Sequence, residues 1–232
     1  LPTTWLGAAV PVAGADVTIN HAALVTTAIS TLVKKLTVFE AGVLSLSLPI
    51  SSLSAENVNV QGSLIWLGAG TMSISDQLTV APNAVFTPGL GMVKFVRESS
   101  QVLFTGRNTV PFYNLSLEGG GEKQLMEGSS LSANNILVKQ GTALNLNQGS
   151  KVTVSGNIEL NGTMEPGKCV FEFNGLTDQE LNVSQADTVV VSSMKVNKLT
   201  GTLVLKKSVQ VQDSLVMVKG NVRTDANLLT IG

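Results

Sequence analysis

Short apolar–polar–apolar triplets recur along the chain. They include Leu44-Ser-Leu-Ser-Leu48, Val58-Asn-Val60, Met72-Ser-Ile74, Leu78-Thr-Val80, Leu144-Asn-Leu146 and Val152-Thr-Val154. Ile158-Glu-Leu160, Leu181-Asn-Val183, Leu203-Val-Leu205 and Val209-Gln-Val211 continue the series. A period of two turns the outer residues to one side of the backbone and the middle one to the other, which is the signature of a strand. Turn-forming residues fill the gaps: Gly62, Gly68-Ala-Gly70, Pro82-Asn83, Gly119-Gly-Gly121, Gly149, Asn161-Gly162 and Asn174-Gly175. The chain must therefore fold as many very short strands joined by tight turns.

Two all-β architectures satisfy that constraint. An antiparallel β-sandwich is one; a single-domain right-handed parallel β-helix, in which strands stack turn upon turn, is the other. The sequence favours the β-helix. Its strands are short, the aromatic content is only 4%, and the chain contains an internal repeat. Thr109-Val-Pro-Phe-Tyr-Asn-Leu-Ser-Leu117 is echoed 79 residues later by Thr188-Val-Val-Val-Ser-Ser-Met-Lys-Val196, and Leu137–Gly141 by Val216–Gly220 at the same offset. With turns of roughly 20–30 residues, 79 residues make about three turns and the chain about nine. The expected organisation is one solenoid over 1–232, with N-terminal turns at 1–90 and repeat units at 91–167 and 168–232. On this reading Leu115 and Met194 occupy equivalent inward positions.

Residues 22–36 admit a helix, but their Thr, Val and Ile content favours a strand. Acidic and basic residues nearly balance, at 16 and 15, so no nucleic-acid partner is indicated. Lys34-Lys35 and Lys206-Lys207 are too short to form basic patches. No apolar run reaches the roughly 18 residues of a membrane span. Leu1-Pro-Thr-Thr-Trp5 lacks the basic start and apolar stretch of a signal peptide, as expected of a mature or excised product. Cys169 is the only cysteine and sits in the alternating run Cys169-Val-Phe-Glu-Phe173, where a buried hydrophobe is expected rather than a nucleophile. The only histidine, His21, is far from it in sequence.

Three stretches resemble the β-helical repeat regions of large secreted and cell-surface proteins of the Bacteroidetes, adhesin-like and exported by the type IX system. They are the opening with Trp5 and Gly14-Ala-Asp-Val-Thr-Ile-Asn20, the segment from Val93-Lys-Phe-Val96 through Thr109–Leu117, and the close Asn227-Leu-Leu-Thr-Ile-Gly232. The resemblance implies an extracellular or surface location and brings no catalytic residues with it. Asp187-Thr-Val189 and Asp213-Ser-Leu215 match the O-glycosylation pattern of that group, which makes Thr188 and Ser214 the candidate acceptors.

Many β-helices cleave polysaccharides, and they do so with clustered carboxylates, used as an acid/base pair or with Ca²⁺. Here Asp16, Asp76, Asp178, Asp187, Asp213 and Asp225 are dispersed, with no Asp-Asp pair. No catalytic group, cofactor or metal ligand is therefore expected, and the chain reads as a non-enzymatic structural or adhesin-type module; a polysaccharide-binding or polysaccharide-cleaving β-helix is the alternative. Gly119-Gly-Gly-Glu122 lacks what a phosphate loop requires and reads as a turn. Tyr113 and Trp5 are the candidate glycan contacts. Phe112 should point inward if Tyr113 points out, and Trp66, among aliphatics, should be core. The close at Leu228-Leu-Thr-Ile-Gly232 is an apolar strand without a polar cap, from which end-to-end self-association through the C-terminal turn, giving a filament, is a further expectation.

Overall fold

The computed structural model describes residues 11–25, 32–47, 52–106 and 108–232. Among the described residues there is no helix, and every ladder is parallel. The chain is a β-solenoid of about ten turns. The sandwich alternative falls because it requires antiparallel pairs.

The register resolves each turn into three stacked faces. The first runs from Ser52–Ala55 through Thr71–Ile74, Met92–Phe95, Asn114–Leu117, residues 135–138 and Ile158–Leu160 to residues 181–183. The second includes Asp16–Ile19, residues 35–38, 57–60 and 77–80, then Gly121–Leu125, Thr142–Leu146 and Thr163–Glu165, and resumes at residues 188–191. The third holds Ala22–Val25, Val43–Leu46, Ser63–Trp66 and Val85–Thr87, then residues 109–112, 130–133, 151–154, 170–173 and 193–196. Ladders cross both expected internal boundaries, Thr71↔Met92 at 90/91 and Val152↔Phe171 at 167/168.

The triplets fall where the period of two requires. In each, the outer residues are buried and line a continuous core; among the middle residues only Val204 is buried as well. Of the stretch 22–36, residues 22–25 and 32–36 are strand. The turn residues read from sequence all separate strands. At these bends one turn lies directly on the next: a Cβ on Gly62 would sit 2.0 Å from the Phe39 carbonyl oxygen. Glu122 departs from expectation. It belongs to the strand Gly121–Leu125, with only Gly119 and Gly120 left to make the bend, at φ of 83° and 84°.

The 79-residue repeat is not an axial period. Leu115 stacks on Ile136, Ile158 and Leu181 in the first face, whereas Met194 stacks on Phe171, Val152 and Leu131 in the third. The inward counterpart of Met194 is Val110, four turns below, because successive turns here advance by about 21 residues. The expected equivalence of Leu115 with Met194 is thus corrected: 79 residues is not a whole number of turns, and the two copies land on different faces.

Aromatic rings concentrate at one level of the core. Trp66, Phe86 and Phe112 follow one another along the third face, with centroids 5.4 and 5.8 Å apart, and Phe95 and Phe104 each lie 6.3 Å from Phe112. Trp66 is core, as expected, and packs directly over Gly91, where a Cβ would collide with the indole.

Candidate functional site

Among the described residues, no group of three His, Cys, Asp or Glu side chains converges as metal ligands would. The carboxylates that are partly withdrawn from water are tied to lysines. Glu118 is flanked by Lys94 at 3.3 Å and Lys139 at 3.1 Å and accepts from Ser116 Oγ at 2.8 Å. Glu172 lies between Lys151 at 2.5 Å and Lys195 at 3.1 Å. Burial by itself raises both carboxyls. For Glu118 the hydrogen bonds from Ser116 and Lys139, with the charge of Lys94, outweigh it; for Glu172 the bonds from Lys151 and Lys195 do so. Both pKa values therefore lie below the ordinary value, the reverse of what a general acid needs.

Cys169 is fully buried, and desolvation pushes its thiol up to about 11, so it is not a thiolate at neutral pH. His21 is exposed on the second turn of the chain's path, remote in sequence from the cysteine. Phe112 points into the core and Tyr113 is half-buried on the outer side. Trp5 lies outside the described residues. Thr188 is exposed at the start of the strand Thr188–Leu205, and Ser214 is exposed with its Oγ 3.1 Å from Ser193 Oγ. Tyr113 and the two hydroxyls stand on different turns and form no common site.

Sequence reasoning missed two buried polar corners. Gln101 Nε2 donates at 3.0 Å to the carbonyls of both Ile74 and Asp76, and its Oε1 accepts from the Arg97 amide. Lys123, whose side chain points inward from the next turn, donates to the carbonyls of Arg97 and Gly120. Gln179 repeats the pattern, donating to Val154 and Gly156 and accepting from the Gly175 amide, four residues before it as Arg97 is before Gln101. Lys198 then donates to Gly175 O at 2.9 Å, Thr177 O at 2.8 Å and Gln179 Oε1 at 2.7 Å. Both lysines have no exposed surface. Burial, with the Arg97 charge, pushes Lys123 down to about 8; burial also lowers Lys198, against the pull of Asp178. Every ammonium contact is a main-chain or amide oxygen inside a bend, so these lysines brace corners and face no cleft.

Three surface depressions remain. A groove of about 370 Å³ on the second face is lined by Lys35, Asn57, Asn59, Gln77 and Thr79. A second, of about 460 Å³, lies among Leu137, Lys139, Glu159, Asn161, Ser184 and Gln185. The third, of about 200 Å³, opens between Thr163–Glu165 and residues 188–190, with Met164, Val183 and Val189 in its wall. The arrangement offers shape and hydrogen bonding, with no convergent acid, base or nucleophile among the described residues. No protein-family model, curated protein or solved structure matches the chain.

Proposed function

We propose that this chain is a non-enzymatic structural or adhesin-type module of the extracellular space or cell surface. The observation that supports this reading most is how the partly buried carboxylates, Glu118 and Glu172, are spent: each is locked between two lysines on the outer side of a stacked sheet. The length of unbroken core is what a spacer or display scaffold uses. The surface location rests on the resemblance of the repeat segments to adhesin-like proteins. Incubation with a panel of acidic polysaccharides, with and without Ca²⁺, tests the reading: unchanged chain lengths are expected, and cleavage would replace it with a polysaccharide-cleaving enzyme. A glycan array distinguishes adhesion from pure spacing; binding that Tyr113→Ala abolishes places the contact at that ring. Mass measurement of the natively produced protein shows whether Thr188 and Ser214 carry glycans.

Self-association is a second reading. Val216, Met217 and Val218 are each about half exposed on the strand Ser208–Arg223 and form an apolar run against which a second copy could stack. Sedimentation across a concentration series tests it; a single monomeric species at high concentration would remove it.

A further inference from the structure

We propose that the opening between the strand Thr163–Glu165 and residues 188–190 binds an extended peptide, pairing main chain to main chain and seating one bulky apolar side chain between Met164 and Val189.

The second face is closed below this level, where Ala143, Leu144 and Asn145 pair with Thr163, Met164 and Glu165. It is closed above it, where residues 188–191 pair with 208–211. Between 163–165 and 188–191 no ladder forms. The two neighbouring faces remain paired at the same level, through Ile158↔Leu181 and Phe171↔Met194. The opening is thus a bounded window with a free strand edge on each long side. Each such edge presents alternating N–H and C=O groups, the pattern that an added strand satisfies.

The side chains suit the same occupant. The inward row of this face runs Leu144, Met164, then Val189 and Val209, so the gap falls between two apolar neighbours. The cavity there is about 200 Å³, with Leu160 and Val183 behind it and Gln185 and Thr188 at its rim. That space suits one large side chain, the kind of pocket in which an interface anchor sits. Gln185 also borders the adjoining groove of about 460 Å³, which gives a bound segment a polar path across Lys139, Glu159 and Asn161. No aromatic ring lines the window, so a sugar finds no stacking platform in it.

Methyl NMR tests the proposal, because Met164 lies in the wall and the fully buried Met72 is a remote control. The probes are blocked pentapeptides, acetyl-Thr-Val-Xaa-Val-Thr-amide, with alanine, leucine, phenylalanine or tryptophan at the centre. The expected result is a saturable shift of the Met164 methyl with at least one bulky central residue, while Met72 stays still. Binding should weaken about tenfold or more with alanine at the centre or with N-methylated peptide bonds. Ala186→Trp, at an exposed residue of the wall, should abolish the shift without changing the melting temperature; Gln185→Trp at the rim is the second blocking variant. No Met164 shift with all four peptides at millimolar concentration overturns the proposal. So does equal binding of the N-methylated form, or a shift produced by chitohexaose or maltohexaose and by none of the peptides.

Discussion

Gln179 is the most heavily committed side chain of the described residues. Its amide satisfies the carbonyls of Val154 and Gly156 and the Gly175 amide, and receives the Lys198 ammonium, all inside a bend. An isosteric apolar group would leave these buried partners unpaired, and each orphaned group costs about 1–3 kcal/mol. Gln179→Leu should therefore lower the unfolding free energy by roughly 2–4 kcal/mol in urea titration, far more than Gln140→Leu at an exposed turn. Lys123 allows a test by pH. Its folded pKa of about 8 lies below the ordinary 10.5. Between these values the unfolded chain holds the proton that the folded chain releases, so stability rises with pH across that window. Below pH 8 the ammonium is charged in both states and the cost of burying it is felt in full. Lys123→Met should remove this rise, seen as a smaller gain in urea midpoint from pH 8 to 10 than in the parent protein; equal gains would contradict the assignment. None of this chemistry was legible in the sequence. Lys123 stands at an inward position of a strand whose Gly-Glu-Lys-Gln-Leu sequence lacks the apolar alternation, and only the carbonyls of neighbouring turns make it tolerable there.

At the scale of elements, the sequence repeat has a physical meaning different from the expected one. Phe95 and Gln101 are separated by the same six residues as Phe173 and Gln179, 78 positions further on. Both pairs form the same local unit: a strand ending in a buried Phe, a bend whose amide the Gln carbonyl accepts, and a Lys from later in the chain. The first unit bends from the first face to the second, the other from the third to the first. The repeat therefore encodes a corner, and any of the three corners can use it. The axial period was present elsewhere, in Asn114, Asn135 and Asn157, spaced by 21 and 22 residues. Asn135 Nδ2 donates to Asn114 Oδ1 at 2.9 Å, and the Asn157 amide donates to Asn135 Oδ1 at 2.8 Å. Three asparagines among many small polar residues give a faint signal, whereas a nine-residue echo is conspicuous. The triplets were readable because burial acts on every residue of a strand, so the strands, Trp66 and Cys169 followed from pattern alone. Ring packing makes its own prediction. Phe112 contacts Phe86, Phe95 and Phe104 at the level where no ladder links Val85–Thr87 to residues 109–112. Phe112→Ala should cost about 3–5 kcal/mol, the upper range for core truncations, and Phe173→Ala, without such ring contacts, should cost less in the same calorimetric series.

For the whole molecule, stability in a solenoid is a sum of contacts between adjacent turns, so the weakest junction decides where the chain opens. A fully stacked junction holds ladders on all three faces, as when residues 114–117, 121–125 and 130–133 meet 135–138, 142–146 and 151–154. The junction above Thr163–Glu165 holds two, because the second face is open there. Its two ladders span only residues 158–160 with 181–183 and 170–173 with 193–196, and part of the missing contact is cavity rather than packed side chain. Beyond it the strands Thr188–Leu205 and Ser208–Arg223 form the longest ladder of the fold and should act as one cooperative block. Native-state hydrogen exchange should then resolve two classes of core amide. Those of residues 191–211 should share one opening free energy, lower than that of Leu117, Val138 and Leu146, since breaking the two-ladder junction frees that block while the turns below stay folded. A peptide bound in the window should raise the lower value toward the higher one, because an added strand restores the third ladder. Equal opening free energies on both sides of the junction would mean that the two remaining ladders suffice to couple the molecule into a single unit.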